Sequence, residues 1–98
     1  MDEASQDRTL FLEQLRAAHS FPGPYLFKLI GDNTPVLLEA ALAVLRAAVP
    51  GVEPSVQRRE SSRGNHQSLT FELPVEDAET VVLVYERFRT LAGVRVML

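Results

Sequence analysis

FPGPYLFKLIG at residues 21–31 and SSRGNHQSLTF at residues 61–71 are the two stretches that decide the fold. Each joins a loop of glycine, proline or polar residues to a run that is typical of an interior β-strand. The first run, residues 25–30, is mostly apolar and rich in aromatic residues. The second continues to residue 73, and Leu69, Phe71 and Leu73 alternate with polar residues. These stretches therefore predict the two central strands of a sheet.

A helix is expected directly after the first strand. Gly31 is expected to end that strand, and Thr34 and Pro35 have the residue types preferred at a helix N-cap and at the first helical position. Over residues 36–49 the apolar side chains repeat at helical spacing, which predicts an amphipathic helix that ends before Pro50. The expected buried residues of this helix are Leu38, Leu42, Leu45 and Val49.

The second half of the chain repeats this pattern. Residues 53–60 form a polar strand candidate, and Pro54 favours a sheet edge, where a missing N–H is tolerated. A turn at residues 61–65 leads into the second central strand, which Pro74 is expected to close. Residues 76–91 then predict a helix with Asp77 near its start, and residues 94–98 a last strand. The expected apolar face of the helix consists of Ala78, Val81, Tyr85 and Phe88.

The element order predicts an α+β fold of the ferredoxin-like class. Two β-α-β halves with right-handed crossovers give a βαββαβ sandwich, a four-stranded antiparallel sheet with two helices on one face. An additional N-terminal helix is predicted at residues 7–18, after a loose tail at residues 1–6. The expected organisation is a tail and helix over residues 1–20, followed by one ferredoxin-like domain over residues 21–98.

Composition restricts the classes of function. With 98 residues, 46% hydrophobic and 23% charged, the chain fits one globular domain. The net charge of -3 gives no reason to expect nucleic acid or an anionic membrane as partner. There is no cysteine, which excludes thiolate catalysis and disulfides. The polar start of the chain and its short apolar runs indicate neither a secretory signal nor a membrane span, so a cytoplasmic protein is expected.

Four short motifs carry a resemblance to a known family. They are Phe21-Pro22, YLFKLIG at residues 25–31, SRGN at residues 62–65 and VRVML at residues 94–98. In their order and spacing, from about residue 21 to residue 98, the chain resembles the YbeD-like bacterial family of unknown function. The resemblance implies a ferredoxin-like fold, similar to the ACT regulatory domains that sense amino acids. It implies no catalytic residues.

Two loops are candidate ligand sites. At the turn, Arg63, Gly64, Asn65 and His66 could hold an anion, because glycine frees the backbone and arginine supplies a forked donor. The alternative is an ordinary solvated hairpin turn, which uses the same residue types. Separately, the loop of Gly31, Asp32 and Asn33 occupies the position where ACT domains commonly bind amino acids. Turn formation and capping by Thr34 explain that loop equally well.

The helix-free face of the sheet is a candidate surface for self-association. Alternation along the first strand puts Leu26, Lys28 and Ile30 on that face, and Met97 is expected beside them. A cross-strand pair between Lys28 and Glu72 is expected rather than a catalytic lysine, with Arg95 nearby. An exposed face or strand edge of this kind suits a second copy of the chain, although the charges could equally keep it in solvent.

Several chemistries are not supported by the residues present. His19 and His66 are the only histidines and are not spaced as metal ligands, so no metal or cofactor is expected. Arg63-Gly64 resembles the start of an RNA-recognition motif, but no open-face aromatic follows it. The expected function is therefore a non-catalytic regulatory or adaptor domain that binds a protein partner or a small metabolite. The alternative is a small enzyme that acts on an anionic substrate through the turn at residues 63–66.

Overall fold

Three helices and four strands make up the computed structural model, which describes residues 3–98 and the side chains from residue 5 onward. Their bounds, in chain order, are α1 (Glu3–Ala18), β1 (Gly23–Asp32), α2 (Pro35–Ala48), β2 (Ser55–Glu60), β3 (His66–Val75), α3 (Ala78–Arg89) and β4 (Val94–Met97).

The four strands form one antiparallel sheet in the order β2-β3-β1-β4. The two most apolar strands, β1 and β3, are central and pair over their full ten residues. All six residues of β2 are exposed, as expected for an edge strand. The predicted α+β architecture and the strand order of the ferredoxin-like class are confirmed.

The core lies between one face of the sheet and the helices. Phe27 and Leu29 of β1, with Leu69 and Phe71 of β3, are completely buried on that face. From α3, Val81, Tyr85 and Phe88 pack onto them, as predicted. In α2 the most deeply buried residues are Leu37, Ala41 and Leu45, whereas the predicted Leu38 and Val49 are only partly buried. The apolar stripe of α2 is thus rotated slightly from the predicted one.

The helix starts agree with the cap residues identified from sequence. Thr34 accepts a hydrogen bond from the backbone N–H of Leu37 at 3.3 Å, and Pro35 begins α2. At the start of α3, the Asp77 side chain accepts a hydrogen bond from the backbone N–H of Thr80 at 2.8 Å. Each side chain satisfies an N–H that has no partner inside its helix, which fixes where the helix begins.

The start of α1 corrects one prediction. The helix begins at Glu3 rather than after a loose tail over residues 1–6, of which residues 1 and 2 lie outside the described part. Its first turn contains no large apolar residue, so no apolar periodicity marked it. The helix lies against α3, with Leu15 buried and Phe11 partly buried near Tyr85. Exposed ion pairs join Arg8 to Glu86 and Arg16 to Glu79.

Both central strands extend past their predicted ends. Gly31 does not end β1 but lies inside it, where the pairing with β4 is shifted by a bulge between Ile30 and Gly31. A side chain at Gly31 would overlap the carbonyl oxygen of Gly93 and the side chain of Leu37, so only glycine fits this close approach. Pro74 lies inside β3, beyond the last residue paired with β2, so its missing N–H removes no bond to that edge strand.

The same bulge changes which residue of β4 lies on the helix-free face. Met97 is paired with Leu29 and packs against the core, so its predicted place on the open face is wrong. Val96, paired with Ile30, lies there instead. The predicted cross-strand pair of Lys28 with Glu72 does not form an ion pair among the described residues, and the register puts Thr70 opposite Lys28 and Leu26 opposite Glu72.

Candidate functional site

The two loops predicted as separate candidate sites form one surface. Asp32 is paired with His66 at the end of the β1–β3 ladder. Beyond it, the backbone N–H of Asn33 donates to the carbonyl of Asn65 at 3.2 Å, and the Asn33 side chain donates to the carbonyl of Gly64 at 2.9 Å. The loop after β1 and the turn before β3 are therefore joined by direct hydrogen bonds.

The turn is a hairpin held together by hydrogen bonds between its own backbone groups. Ser61 donates its N–H to the carbonyl of His66 at 2.9 Å, and Gly64 donates to the carbonyl of Ser61 at 2.9 Å. The Ser61 hydroxyl also accepts from the N–H of His66 at 3.1 Å. Gly64 has a φ of 74°, a conformation that side-chain-bearing residues adopt at a cost. The hairpin is thus stable as a turn without any ligand.

Gln67 organises the interior beneath this surface, and sequence reasoning did not identify it. Its side chain is only 2% exposed. The amide nitrogen donates to the backbone carbonyls of Asp32 at 3.0 Å and Thr34 at 2.9 Å, and the amide oxygen accepts from Nε of Arg58 at 2.6 Å. A buried amide with all these bonds holds the loop between β1 and α2 in place. Alternation did place Gln67 on the core face, which was the available signal.

Two arginines near the candidate site are neutralised by neighbours. Arg58 donates to Glu60 at 2.9 Å and to the side-chain oxygen of Asn33. The hydrogen bond from Arg58 holds the pKa of the Glu60 carboxyl below its ordinary value. Arg95 forms an ion pair with Asp32 at 3.0 Å. These two guanidinium groups already have acidic partners and contribute to the shape of the surface.

The seven predicted site residues therefore differ in what they can offer a ligand. Gly31 is buried, and the side chains of Asp32 and Asn33 are already paired. Gly64 and Asn65 shape the turn through their backbone carbonyls. The side chains of Arg63 and His66 are exposed and have no hydrogen-bond or ion-pair partner among the described residues.

Two cavities of the described surface lie away from the turn. One, of about 430 Å³, lies between α1 and α3 and is lined by residues that include Arg8, Phe11 and Tyr85. Burial raises the pKa of Tyr85, whose hydroxyl donates to the carbonyl of Leu98 at 3.0 Å. The other, of about 260 Å³, lies near Pro22 and Pro74 at the opposite end of β1 and β3 from the turn. Residues 61–66 of the candidate turn line neither of these cavities and are all exposed.

Among the side chains of residues 5–98 there is no group of three histidine or acidic residues placed to hold a metal ion. In the same part of the chain, no helix combines the length and the apolar character needed to cross a membrane.

Comparison with known proteins gives one consistent result. A family model described as a protein of unknown function, DUF493, matches residues 16–98. A UPF0250 protein of Shewanella loihica is 32% identical over 75 residues, which cover 76% of this chain and 84% of the relative. A UPF0250 protein of Klebsiella pneumoniae is 32% identical, and UPF0250 protein YbeD of Salmonella newport is 30% identical, each over 79 residues that cover 80% of this chain and 88% of the relative. The predicted resemblance is confirmed, and the chain belongs to the bacterial DUF493 (UPF0250, YbeD-like) family of proteins of unknown function.

Proposed function

We propose that this chain is a small, non-catalytic adaptor domain that binds a partner protein through the exposed hairpin at residues 61–66. Its role would be regulatory, as the resemblance to ACT domains implies. One observation carries the proposal. At the tip of the hairpin, the guanidinium of Arg63 has no hydrogen-bond or ion-pair partner among the side chains described from residue 5 onward, while the neighbouring guanidinium groups of Arg58 and Arg95 are held by Glu60 and Asp32.

The shape of the site favours a protein over a small metabolite. Small-molecule sites are concave and surround most of the ligand, whereas residues 61–66 are all exposed and the described cavities lie elsewhere. An exposed hairpin tip can enter a recess of a larger partner. An arginine at its tip suits a carboxylate there, because its fork makes two parallel hydrogen bonds.

The alternative enzyme would use Arg63 and His66 on an anionic substrate. General acid-base or nucleophilic catalysis needs a reacting group oriented by a neighbour. His66 uses its backbone in the turn, and its ring has no such neighbour among the described residues. These contacts favour the binding role.

The test uses the full chain as an affinity bait in three forms: wild type, Arg63→Ala and Arg87→Ala. Arg87 is another exposed arginine, on α3, so its variant controls for the loss of one positive charge. We expect a protein that wild type and Arg87→Ala retain equally and that Arg63→Ala loses. If no protein distinguishes Arg63→Ala from the control, the proposal is wrong.

Two further measurements separate the other possibilities. If free amino acids or inorganic phosphate raise the melting temperature of wild type but not of Arg63→Ala, the hairpin binds a small metabolite instead. Self-association through the open sheet face or a strand edge stays a prediction. Sedimentation that shows a strict monomer at high protein concentration would contradict it.

A further inference from the structure

We propose that the helix-free face of the sheet is the docking surface for an acidic polypeptide segment, with apolar side chains, of another protein. This inference rests on the proposed adaptor function and deepens it by naming the surface and the chemistry of the partner. The surface, called the open face below, consists of the outward side chains of the four strands and of Leu98.

One half of the open face is apolar. Leu26 on β1 is 57% exposed, and Val96 on β4 is 45% exposed and lies directly opposite Ile30. Leu98, two residues after Val96, is 60% exposed, and its backbone N–H donates to the carbonyl of Lys28 at 2.8 Å. Two of these four apolar side chains lie on β1, one lies on the adjacent β4, and Leu98 directly follows β4. Together they form a strip that a partner's apolar side chains could cover.

Cations without acidic partners border this strip. Lys28 lies between Leu26 and Ile30 on β1, and Arg59 lies on β2 opposite Ser68. Neither forms an ion pair among the described residues. Arg63 stands at the end of the same sheet, on the adjoining hairpin. Glu72, opposite Ser55, is the one acidic side chain of the open face that forms no ion pair with another described residue.

Charge is also distributed unevenly between the sheet and the rest of the chain. The strands and the β2–β3 turn contain five of the ten Lys and Arg residues but only three of the thirteen Asp and Glu residues. The remaining segments contain the other five cations and ten acidic residues. A chain with a net charge of -3 thus has a sheet of net positive charge. Such a face attracts an acidic segment and orients it, while the helical side repels it.

The same charges make other occupants less suitable. A second copy, the other occupant predicted for this face, would bring two sets of Lys28, Arg59 and Arg63 toward each other if it docked by its own open face, which costs free energy through like-charge repulsion. The two occupants compete for the same surface, and the charges favour the acidic segment. Single-stranded RNA needs aromatic side chains for base stacking, and the central positions of the open face hold Ile30, Lys28, Ser68 and Thr70. An anionic membrane would be repelled by the acidic remainder of the chain.

The experiment uses site-specific photo-crosslinking in an extract of the source bacterium. A photo-reactive amino acid replaces Ser68, at the centre of the open face, or Glu39, an exposed residue on α2, as the control. We expect an adduct only at position 68, in which mass spectrometry locates the crosslink in an acidic segment of another protein. Its yield should fall when the salt concentration is raised to about 0.5 M, because salt screens exposed charges.

Matched charge reversals complete the test. Lys28→Glu with Arg59→Glu should reduce the adduct by about tenfold or more, whereas Arg87→Glu with Arg89→Glu, which changes the net charge equally on α3, should leave it unchanged. Circular dichroism of each variant confirms that it is folded. An adduct with the same chain, with RNA or with lipid, no adduct at position 68, or equal loss in both double variants would overturn the inference. The proposed function survives these outcomes if the Arg63→Ala bait still loses its partner.

Discussion

Nε of Arg58 lies 2.6 Å from the side-chain oxygen of Gln67, and this contact joins the exposed edge strand to the interior of the candidate site. Through the same amide, Gln67 holds the carbonyls of Asp32 and Thr34. The loop after β1, the start of α2 and strand β2 are thus fixed by one buried side chain.

Gln67→Leu should destabilise the fold by about 1–3 kcal/mol, because it keeps the volume but leaves two carbonyls and a guanidinium N–H without this partner. Urea unfolding measures the change. The control is Gln57→Leu on the exposed face of β2, where a change within about 0.5 kcal/mol is expected. Equal values for the two variants would show that Gln67 does not support the loop.

Gly31→Ala should destabilise by about 3 kcal/mol, because its new methyl group would overlap the carbonyl oxygen of Gly93, which cannot move without disturbing β4. The comparison is Gly64→Ala, where the space is open and the positive φ alone costs about 1 kcal/mol. Thermal unfolding of both variants shows which substitution lowers the stability of the fold more. A smaller loss at Gly31 than at Gly64 would contradict the close approach of β1 and β4.

The stabilisation by the Asp77 cap should depend on pH. Hydrogen bonds from the hydroxyl and N–H of Thr80 hold the pKa of Asp77 below its ordinary value of 3.8. A group whose pKa is lower in the folded state stabilises the fold above the unfolded pKa and loses this effect as the pH falls. Asp77→Ala should therefore cost about 1 kcal/mol at pH 7, and the difference from wild type should shrink below pH 3.8. A difference that stays constant down to pH 2 would rule out a charged cap.

The sequence was sufficient for the strand order because residues 25–30 and 69–73 carry alternating or continuous apolar patterns, and residues 53–60 do not. The sequence was not sufficient to predict which face of the sheet Met97 lies on. That face depends on the bulge beside Gly31, and no sequence pattern marks the bulge. The first turn of α1 was missed for a similar reason, because it contains no large apolar residue that would show helical periodicity.

The candidate site was predicted in parts. The residues of both loops were identified from sequence, but the contact between the loops was not. The predicted topology implies this contact, because β1 and β3 are antiparallel neighbours. The loop after β1 and the turn before β3 therefore lie at the same end of the sheet. The bonds of Arg58 and Arg95 could not be predicted. They depend on side-chain directions and on cross-strand register rather than on residue type.

The most direct test of partner binding by the hairpin is the affinity of Arg63→Ala for the protein that wild type retains. Titration calorimetry at one salt concentration should show binding weakened by about 1.5–3 kcal/mol, the contribution of a hydrogen bond to a charged group. Folding stability should stay within about 0.5 kcal/mol of wild type, because the turn needs no guanidinium. Equal affinities of wild type and Arg63→Ala would contradict the claim that this hairpin binds the partner.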